Sequence, residues 1–184
     1  EPSCSDHCPS FRDLRPARNL DRAPFLCQDP IQLLDEKREV CHGHGCDGGR
    51  RYCRIARDVK VIAVVGLSPN EARPSWGVAR YLQANGYRIV PVNPGQAGHT
   101  ILGEKVYARL ADIPATEGVE MVDIFRRSEA VGPIVDEALA HLPHLKSIWM
   151  QLGIRNDAAA RKAEQRGIIV IQDRCPKIEF PRHL

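Results

Sequence analysis

The sequence predicts an α/β fold, with a Rossmann-like, doubly wound, mostly parallel five-stranded sheet that follows a poorly structured N-terminal extension. Two observations support this prediction. Apolar runs of strand length alternate with helical patterns of about 10 to 15 residues, and the loops that follow the runs are rich in Gly, Ser, Asn and Arg. Such alternation is typical of right-handed crossovers between parallel strands.

The bulk composition is that of one domain with an appendage. The 184 residues are 43% hydrophobic and 27% charged, in the range of globular proteins. No apolar run approaches the about 20 residues that span a bilayer, and a net charge of +3 is too small to indicate nucleic acid by itself. We therefore expect a cytoplasmic protein that binds a small nucleotide ligand, without nucleic-acid or membrane partners; self-association into a homo-oligomer stays open.

Residues 1–50 differ in composition from the remainder. They contain scattered prolines, many arginines and a Gly/His/Cys-rich run over residues 41–49. Residues 30–40 offer a short helix, and the rest cannot bury enough surface to offset the entropy of ordering it. We predict a disordered or loosely structured extension over residues 1–50 and a globular domain over residues 51–184. Because the chain starts at Glu1 rather than methionine, we expect its true start to be missing or altered.

The first part of the domain is predicted to contain two strands and one helix. Residues 61–65 form a continuous apolar run, as expected of a central strand that is covered on both faces. Ser75 is predicted to cap a helix that Gly86 ends. Residues 87–92 are the second strand, and residues 93–95 are the turn that follows it.

The second part supplies three further strands and two helices. Residues 101–113 are predicted to be a connection with a short helical turn. Ser128 and Asn156 are each predicted to cap a helix, and Gly167 ends the second one. The three strands are predicted over residues 121–125, 147–151 and 168–171.

The loop after the first strand is the strongest functional signal. In an open parallel sheet, ligands bind beyond the carboxyl ends of the strands, where the strand order reverses. Gly66 permits a tight turn, Ser68 and Asn70 offer hydrogen-bonding side chains, and Arg73 adds a planar charged fork suited to phosphate. The amides at the start of the next helix also favour an anion. The alternative is that these residues only shape a turn and a cap; taken together they predict phosphate binding.

The ordinary dinucleotide fingerprint is absent. A G-x-G-x-x-G motif would place glycines where the sequence has Ser68 and Glu71. The second strand should also end in an acidic residue that holds a ribose hydroxyl, whereas it leads into Asn93. This pattern disfavours an NAD(P)-binding oxidoreductase, which we retain as an alternative.

Six segments within residues 60–179 resemble, in family order, the small stand-alone coenzyme A-binding proteins. That family is close to the nucleotide-binding domain of the succinyl-CoA synthetase α subunit. The segments are Ala63-Val-Val-Gly-Leu-Ser-Pro-Asn70, Arg73-Pro-Ser-Trp-Gly-Val-Ala79, Val90-Pro-Val-Asn-Pro-Gly95, Val122-Asp-Ile-Phe-Arg126, Trp149-Met-Gln-Leu-Gly153 and Asp173-Arg-Cys-Pro-Lys177. The resemblance implies a Rossmann-like fold that binds coenzyme A, with no reaction of its own. The extension does not resemble the family, although residues 51–57 fall where its members have a short helix.

The resemblance also implies which residues contact the coenzyme. It puts the pyrophosphate on Gly66, Ser68, Arg73 and Ser75, and the adenosine portion near Asn93 and Pro94. The complete set of implied cofactor-binding residues is Gly66, Leu67, Ser68, Asn70, Arg73, Ser75, Trp76, Gly77, Asn93, Pro94, Phe125, Arg126, Gln151 and Gly153.

No catalytic residues are predicted. Ligases that share this domain use a phosphorylated histidine from another part of a longer chain. The histidines here are predicted to be surface residues; those of the domain are His99, His141, His144 and His183. No carboxylate pair and no nucleophile with its base converge on the strand ends. An acyl-CoA ligase component that needs a partner chain remains an alternative.

Cys175 lies apart from the other six cysteines, which are all within residues 4–53. Cys175 follows the fifth strand, where a neighbouring charge from Arg174 would lower the pKa of its thiol. We hypothesise a mixed disulfide with the thiol of the coenzyme; the alternative is an unreactive loop cysteine. The extension has enough Cys and His for zinc, but Cys4-x3-Cys8 and Cys41-x4-Cys46 lack the tight C-x2-C spacing. We therefore predict no metal, with a zinc-binding extension as the alternative.

Overall fold

The central sheet belongs to residues 47–183, the part of the chain that the computed structural model describes. In chain order, the strands there are β1 (Val61–Val65), β2 (Arg88–Val92), β3 (Thr100–Ile101), β4 (Glu104–Lys105), β5 (Met121–Ile124), β6 (Ser147–Met150) and β7 (Ile169–Ile171). Five of them form one parallel sheet in the order β2-β1-β5-β6-β7, while β3 and β4 form a separate antiparallel pair. The predicted five-stranded parallel sheet is confirmed.

Helices cover both faces of this sheet. They are α1 (Asp47–Asp58), α2 (Pro74–Ala84), α3 (Ser128–His141), α4 (Asp157–Glu164) and α5 (Pro176–His183). One core cluster joins the sheet to residues of α1, α2 and α5, and the other joins it to residues of α3 and α4. The fold is therefore doubly wound, as predicted.

The first strand shows why the sequence pattern was continuous rather than alternating. Ile62 and Val64 pack on the side of α1, α2 and α5, whereas Ala63 and Val65 pack on the side of α3 and α4. Successive side chains of a strand point to opposite faces, so a strand covered on both faces needs apolar residues throughout.

The strand order reverses between β1 and β5. From β1 the chain crosses to β2 on one side, and it later returns to β5 on the other side of β1. The helices after β1 and β5, α2 and α3, lie on opposite faces. Their connecting loops therefore diverge, and they leave a crevice beyond the carboxyl ends of β1 and β5.

Two predicted helix caps are wrong, and one is confirmed. Ser75 lies inside the first turn of α2, which begins at Pro74, because the fixed backbone of proline suits the first helical position. Ser128 is likewise the first residue of α3 and not its cap. Asn156 does cap α4, since its Oδ1 accepts the N–H of Ala159 at 3.0 Å.

Several predictions fall on residues outside the described part of the chain. These are the disordered extension, the short helix over residues 30–40 and most of the zinc candidates. Helix α1 already begins at Asp47, so the predicted boundary between residues 50 and 51 lies within a helix. Cys53, from the N-terminal group of cysteines, is buried in α1.

Across residues 47–183, no group of His, Cys, Asp and Glu is placed to hold a metal ion, and no helix has the length and apolarity needed to cross a membrane.

Candidate functional site

Gly66 connects β1 to the loop of residues 66–75, the first ligand loop. A side chain does not fit at this position. Its φ is +90°, and a Cβ atom would lie 3.0 Å from the carbonyl oxygen of Phe125 and 3.0 Å from Cδ of Arg126. Its N–H donates to the carbonyl of Val92 at 2.8 Å. Gly66 thus brings the ends of β1, β2 and β5 together. Because its own amide is used in this contact, Gly66 has no N–H to offer a ligand; the absence of a side chain lets Phe125 and Arg126 approach the end of β1 closely.

Side-chain oxygens give the first loop its shape. The N–H of Ser68 donates to Oγ of Ser75 at 3.2 Å, and the N–H of Asn70 donates to Oγ of Ser68 at 3.2 Å. Oδ1 of Asn70 in turn accepts the N–H of Ala72 at 2.9 Å. The two serine hydroxyls act as acceptors in these contacts, so each keeps its own proton to donate.

Three backbone N–H groups of this loop make no hydrogen bond with the described residues. They belong to Leu67, Glu71 and Ser75. The N–H of Ser75 lies in the first turn of α2, where helix amides have no partner within the helix and the helix dipole is positive. Leu67 is 0% exposed, so the N–H groups of Glu71 and Ser75 are the ones that an anion can approach.

Three arginines surround the same edge of the sheet. Arg73, Arg126 and Arg127 have exposed side chains, and none of them forms an ion pair with another residue of the described chain. A guanidinium that has no carboxylate partner is available to a phosphate. Sequence reasoning missed Arg127, although the pair of adjacent arginines after β5 was a visible signal.

Asn93 connects the first ligand loop to the second ligand loop, residues 93–95, which follows β2. Its Nδ2 donates to the carbonyl of Leu67 at 2.8 Å, and its Oδ1 accepts the N–H of Gly95 at 3.1 Å. The side chain at this position therefore contacts the protein with both of its polar atoms. Pro94, the next residue, lies on the surface.

A cavity of about 240 Å³ opens between these loops on the side of α3. Gly66, Pro94 and Arg126, which the sequence predicted to contact the ligand, line it together. Its other walls include the apolar side chains of Val92 and Ile134. The cavity thus combines apolar walls with three charged residues, Arg109, Arg126 and Glu137.

The remaining predicted contacts near α2 differ in exposure. Leu67 as a whole residue is 0% exposed, and its side chain packs in the core. Trp76 and Phe125 are partly buried and pack against the same core cluster. Gly77 lies within α2 with open space around it.

Gln151 and Gly153, the two predicted ligand contacts after β6, form hydrogen bonds within the protein. Nε2 of Gln151 donates to both carboxyl oxygens of Asp123, at 2.9 and 3.0 Å. The N–H of Gly153 donates to Oδ1 of Asp173 at 2.7 Å. Both residues nevertheless lie at the carboxyl end of β6, beside the crevice.

Sequence reasoning also missed Asp123, which lies in the middle of β5 and is 0% exposed. Burial raises the pKa of its carboxyl group from the ordinary 3.8 to about 7, and hydrogen bonds from Gln151 and from the N–H of Ile124 act in the opposite direction. An acidic residue within a strand buried on both faces was the signal that pointed to it.

The predicted effect of Arg174 on Cys175 is wrong. Burial raises the pKa of the Cys175 thiol, although a hydrogen bond from the N–H of Lys177 acts against that rise. The guanidinium of Arg174 donates to the carbonyl of Asp173 at 2.8 Å and lies 3.8 Å from Glu179. A buried thiol with a raised pKa gives the mixed-disulfide hypothesis no support. By contrast, His99, His141 and His144 are exposed, as predicted.

Residues 60–181 match the family model that is described as a CoA binding domain. The chain belongs to this CoA-binding domain family. The domain is 36% identical to the uncharacterized Bacillus subtilis protein YneT over 124 residues, which are 67% of this chain and 87% of YneT. A solved Thermus thermophilus structure is 36% identical, with a TM-score of 0.65, covering 73% of this chain and 96% of that one. A hypothetical protein from Pyrococcus horikoshii is 32% identical, with a TM-score of 0.66, covering 78% of this chain and 98% of that one. The predicted family is confirmed.

Proposed function

We propose that the CoA-binding domain holds coenzyme A, or an acyl-CoA, through the loop after β1 and the start of α2, without catalysis of its own. The observation that carries this proposal is the set of free donors at the strand-order reversal. Amides without hydrogen-bond partners and three guanidinium groups without carboxylate partners, as far as residues 47–183 are concerned, face one edge of the sheet. Such a set matches a ligand that carries several phosphate groups.

The pyrophosphate of the coenzyme is assigned to the first loop. The N–H of Ser75 and the hydroxyl of Ser68 are the donors assigned to it. The positive end of α2 and the charge of Arg73 add to the attraction. These are the donors that a helix N-terminus typically offers to phosphate.

The adenosine portion is assigned to the cavity beside Asn93 and Pro94. Its apolar walls suit the faces of a flat base, and Arg126 at the same cavity suits a phosphate of the coenzyme. We assign contacts with the base to Pro94, on the second loop, and to Ile134, on α3, because both line this cavity.

The end of β2 distinguishes coenzyme A from NAD. Both polar atoms of the Asn93 side chain are used in protein contacts, and no carboxylate takes its place at the end of this strand. A dinucleotide site normally holds the ribose hydroxyls with an acidic residue at that point. We therefore expect NAD to bind more weakly than coenzyme A.

The proposal of binding without catalysis is supported by the state of the reactive groups near the crevice. The carboxyl group of Asp123 is completely buried, and the thiol of Cys175 is buried with a raised pKa. His141 and His144 lie between the end of α3 and the start of β6, at the end of the sheet opposite the ligand loops. An acyl-transfer reaction in this crevice would thus need groups from outside the described residues.

Calorimetric titration of the full chain with coenzyme A, 3′-dephospho-coenzyme A, NAD and ATP tests the proposal. Arg73→Ala should weaken coenzyme A binding by about tenfold or more, as expected for loss of a charged hydrogen bond. Arg161→Ala is the matched control, because this exposed arginine lies within α4, away from the first loop. Equal affinity of wild type and Arg73→Ala, or tighter binding of NAD than of coenzyme A, would contradict the assignment.

A further inference from the structure

We propose that Asp123 is a positioning residue of the coenzyme site: its ionised carboxylate fixes the side-chain amide of Gln151 so that the amide oxygen faces the bound coenzyme. This inference rests on the proposed function, since it adds to the same site a residue that the sequence did not assign. Asp123 itself does not contact the coenzyme. It acts through Gln151.

The geometry of the pair is well defined. Asp123 lies on β5 between Val64 of β1 and Trp149 of β6. Gln151 directly follows β6, and its side chain reaches back so that Nε2 lies 2.9 and 3.0 Å from the two carboxyl oxygens. The amide therefore spans the distance from the buried carboxylate to the end of the strand, where the ligand loops begin.

The surroundings of Asp123 offer no compensating cation. It forms no ion pair with any Lys, Arg or His between residues 47 and 183. Its neighbours on the adjacent strands, Val64 and Trp149, are not titratable. From the segment after β7, the thiol of Cys175 interacts with it: burial raises the pKa of that thiol, and the Asp123 carboxylate adds to the rise. Burying a carboxylate without a cation is costly, so its main side-chain partner, Gln151, is held firmly in place.

The chemistry of the two groups determines which end of the amide faces the ligand. An ionised carboxylate only accepts hydrogen bonds, so it must face the NH2 group of Gln151 and turn the amide oxygen away. A protonated carboxyl group can donate to that oxygen, which would release the NH2 group instead. Because the pKa of Asp123 is about 7, both forms are populated near neutral pH.

The amide oxygen suits a particular part of the ligand. The pantetheine arm of coenzyme A contains two secondary amides, each with an N–H donor. With Asp123 ionised, Gln151 can accept one of these donors; with Asp123 protonated, it can present an NH2 group to the same donor, which is unfavourable. Coenzyme A should therefore bind more tightly as pH rises through about 7.

A double-mutant cycle tests this role with coenzyme A as the ligand at about pH 6 and about pH 8. From about pH 6 to about pH 8, the affinity of the wild type for coenzyme A should rise about threefold to tenfold more than the affinity of Asp123→Asn. This factor corresponds to the free energy of one hydrogen bond. The comparison removes titration of the coenzyme phosphates, which is common to both proteins. In a Gln151→Leu background, Asp123→Asn should change neither the affinity nor its pH profile.

A second measurement needs neither ligand nor a change at Asp123. In ¹⁵N-resolved NMR spectra of the unliganded protein, the side-chain NH2 signals of Gln151, identified by their loss in Gln151→Leu, should shift with an apparent pKa near 7. The inference is overturned if these signals are independent of pH, or if Asp123→Asn has the same effect with leucine at residue 151 as with glutamine. Failure of the wild type to bind coenzyme A at both pH values overturns the proposed function and this inference with it.

Discussion

The buried carboxyl group of Asp123 makes the stability of this domain depend on pH. The pKa of Asp123 is raised from 3.8 to about 7 by burial, so the folded chain retains a proton that the unfolded chain has lost in this window. The contribution of Asp123 therefore lowers the free energy of unfolding as pH rises from about 4 to 7. Above about pH 7 this contribution no longer changes.

Asp123→Asn should remove this loss. We expect the variant to be more stable than the wild type at about pH 8, by up to about 4 kcal/mol, and the two proteins to converge toward about pH 4. Urea unfolding of both proteins across this range measures the difference. Other groups act in both proteins, and Glu120, whose pKa is lowered in the folded state, is one of them; they cancel in the comparison. Parallel stability curves would show that the carboxyl group titrates as an exposed one.

At the scale of elements, the first loop and α2 form one unit. Ser75 is 5% exposed, and its Oγ accepts the N–H of Ser68 at 3.2 Å. This contact ties the turn that follows β1 to the first turn of the helix. The donors assigned to the pyrophosphate are thus held in place before any ligand arrives, which lowers the entropy that binding must overcome.

Ser75→Ala should weaken both stability and coenzyme binding, because it leaves the N–H of Ser68 without its partner. We expect a loss of about 1 kcal/mol in the free energy of unfolding and about fivefold or more in affinity. Ser147→Ala is a matched control at the other end of the strands: the Oγ of Ser147 is buried and makes no hydrogen bond with the described residues. Its removal should leave stability and affinity unchanged. Equal effects of the two substitutions would argue against a special role for the Ser75 contact.

At the scale of the whole molecule, the five strands of the central sheet and their parallel, doubly wound arrangement were the predictable part. Val61–Val65 and Met121–Ile124 are buried on both faces, so their apolar runs were visible in the sequence. The pair of β3 and β4 could not be predicted from the sequence, because strands of two residues are too short to show an alternation of apolar and polar residues. The caps at Ser75 and Ser128 were predicted incorrectly because a serine at a helix start can instead bond to a distant backbone N–H, as Ser128 does with Arg155 at 3.1 Å.

The loops of the candidate site could be located from the sequence, but the contacts within them could not. Gly66 was correctly placed at a tight turn, since a positive φ after a buried strand favours glycine. The contact between Asp123 and Gln151 joins residues 28 positions apart, and it depends on the register of β5 against β6. Register is set by tertiary packing, so a single sequence does not display it.

The distribution of charge over the whole domain leads to a final prediction. The chain has a net charge of only +3, yet Arg73, Arg126 and Arg127 all lie without ion-pair partners among the described residues at the edge where the ligand loops meet. Attraction of this kind is screened by salt, and the screening length falls to about 3 Å at 1 M. Raising the salt concentration from about 50 mM to about 500 mM should therefore weaken coenzyme A binding by about tenfold. The dependence should be shallower for 3′-dephospho-coenzyme A, which has one phosphate fewer, and shallower again for Arg73→Ala. Titrations at several salt concentrations measure these slopes; identical slopes for the two ligands would mean that no arginine of this edge contacts the 3′-phosphate.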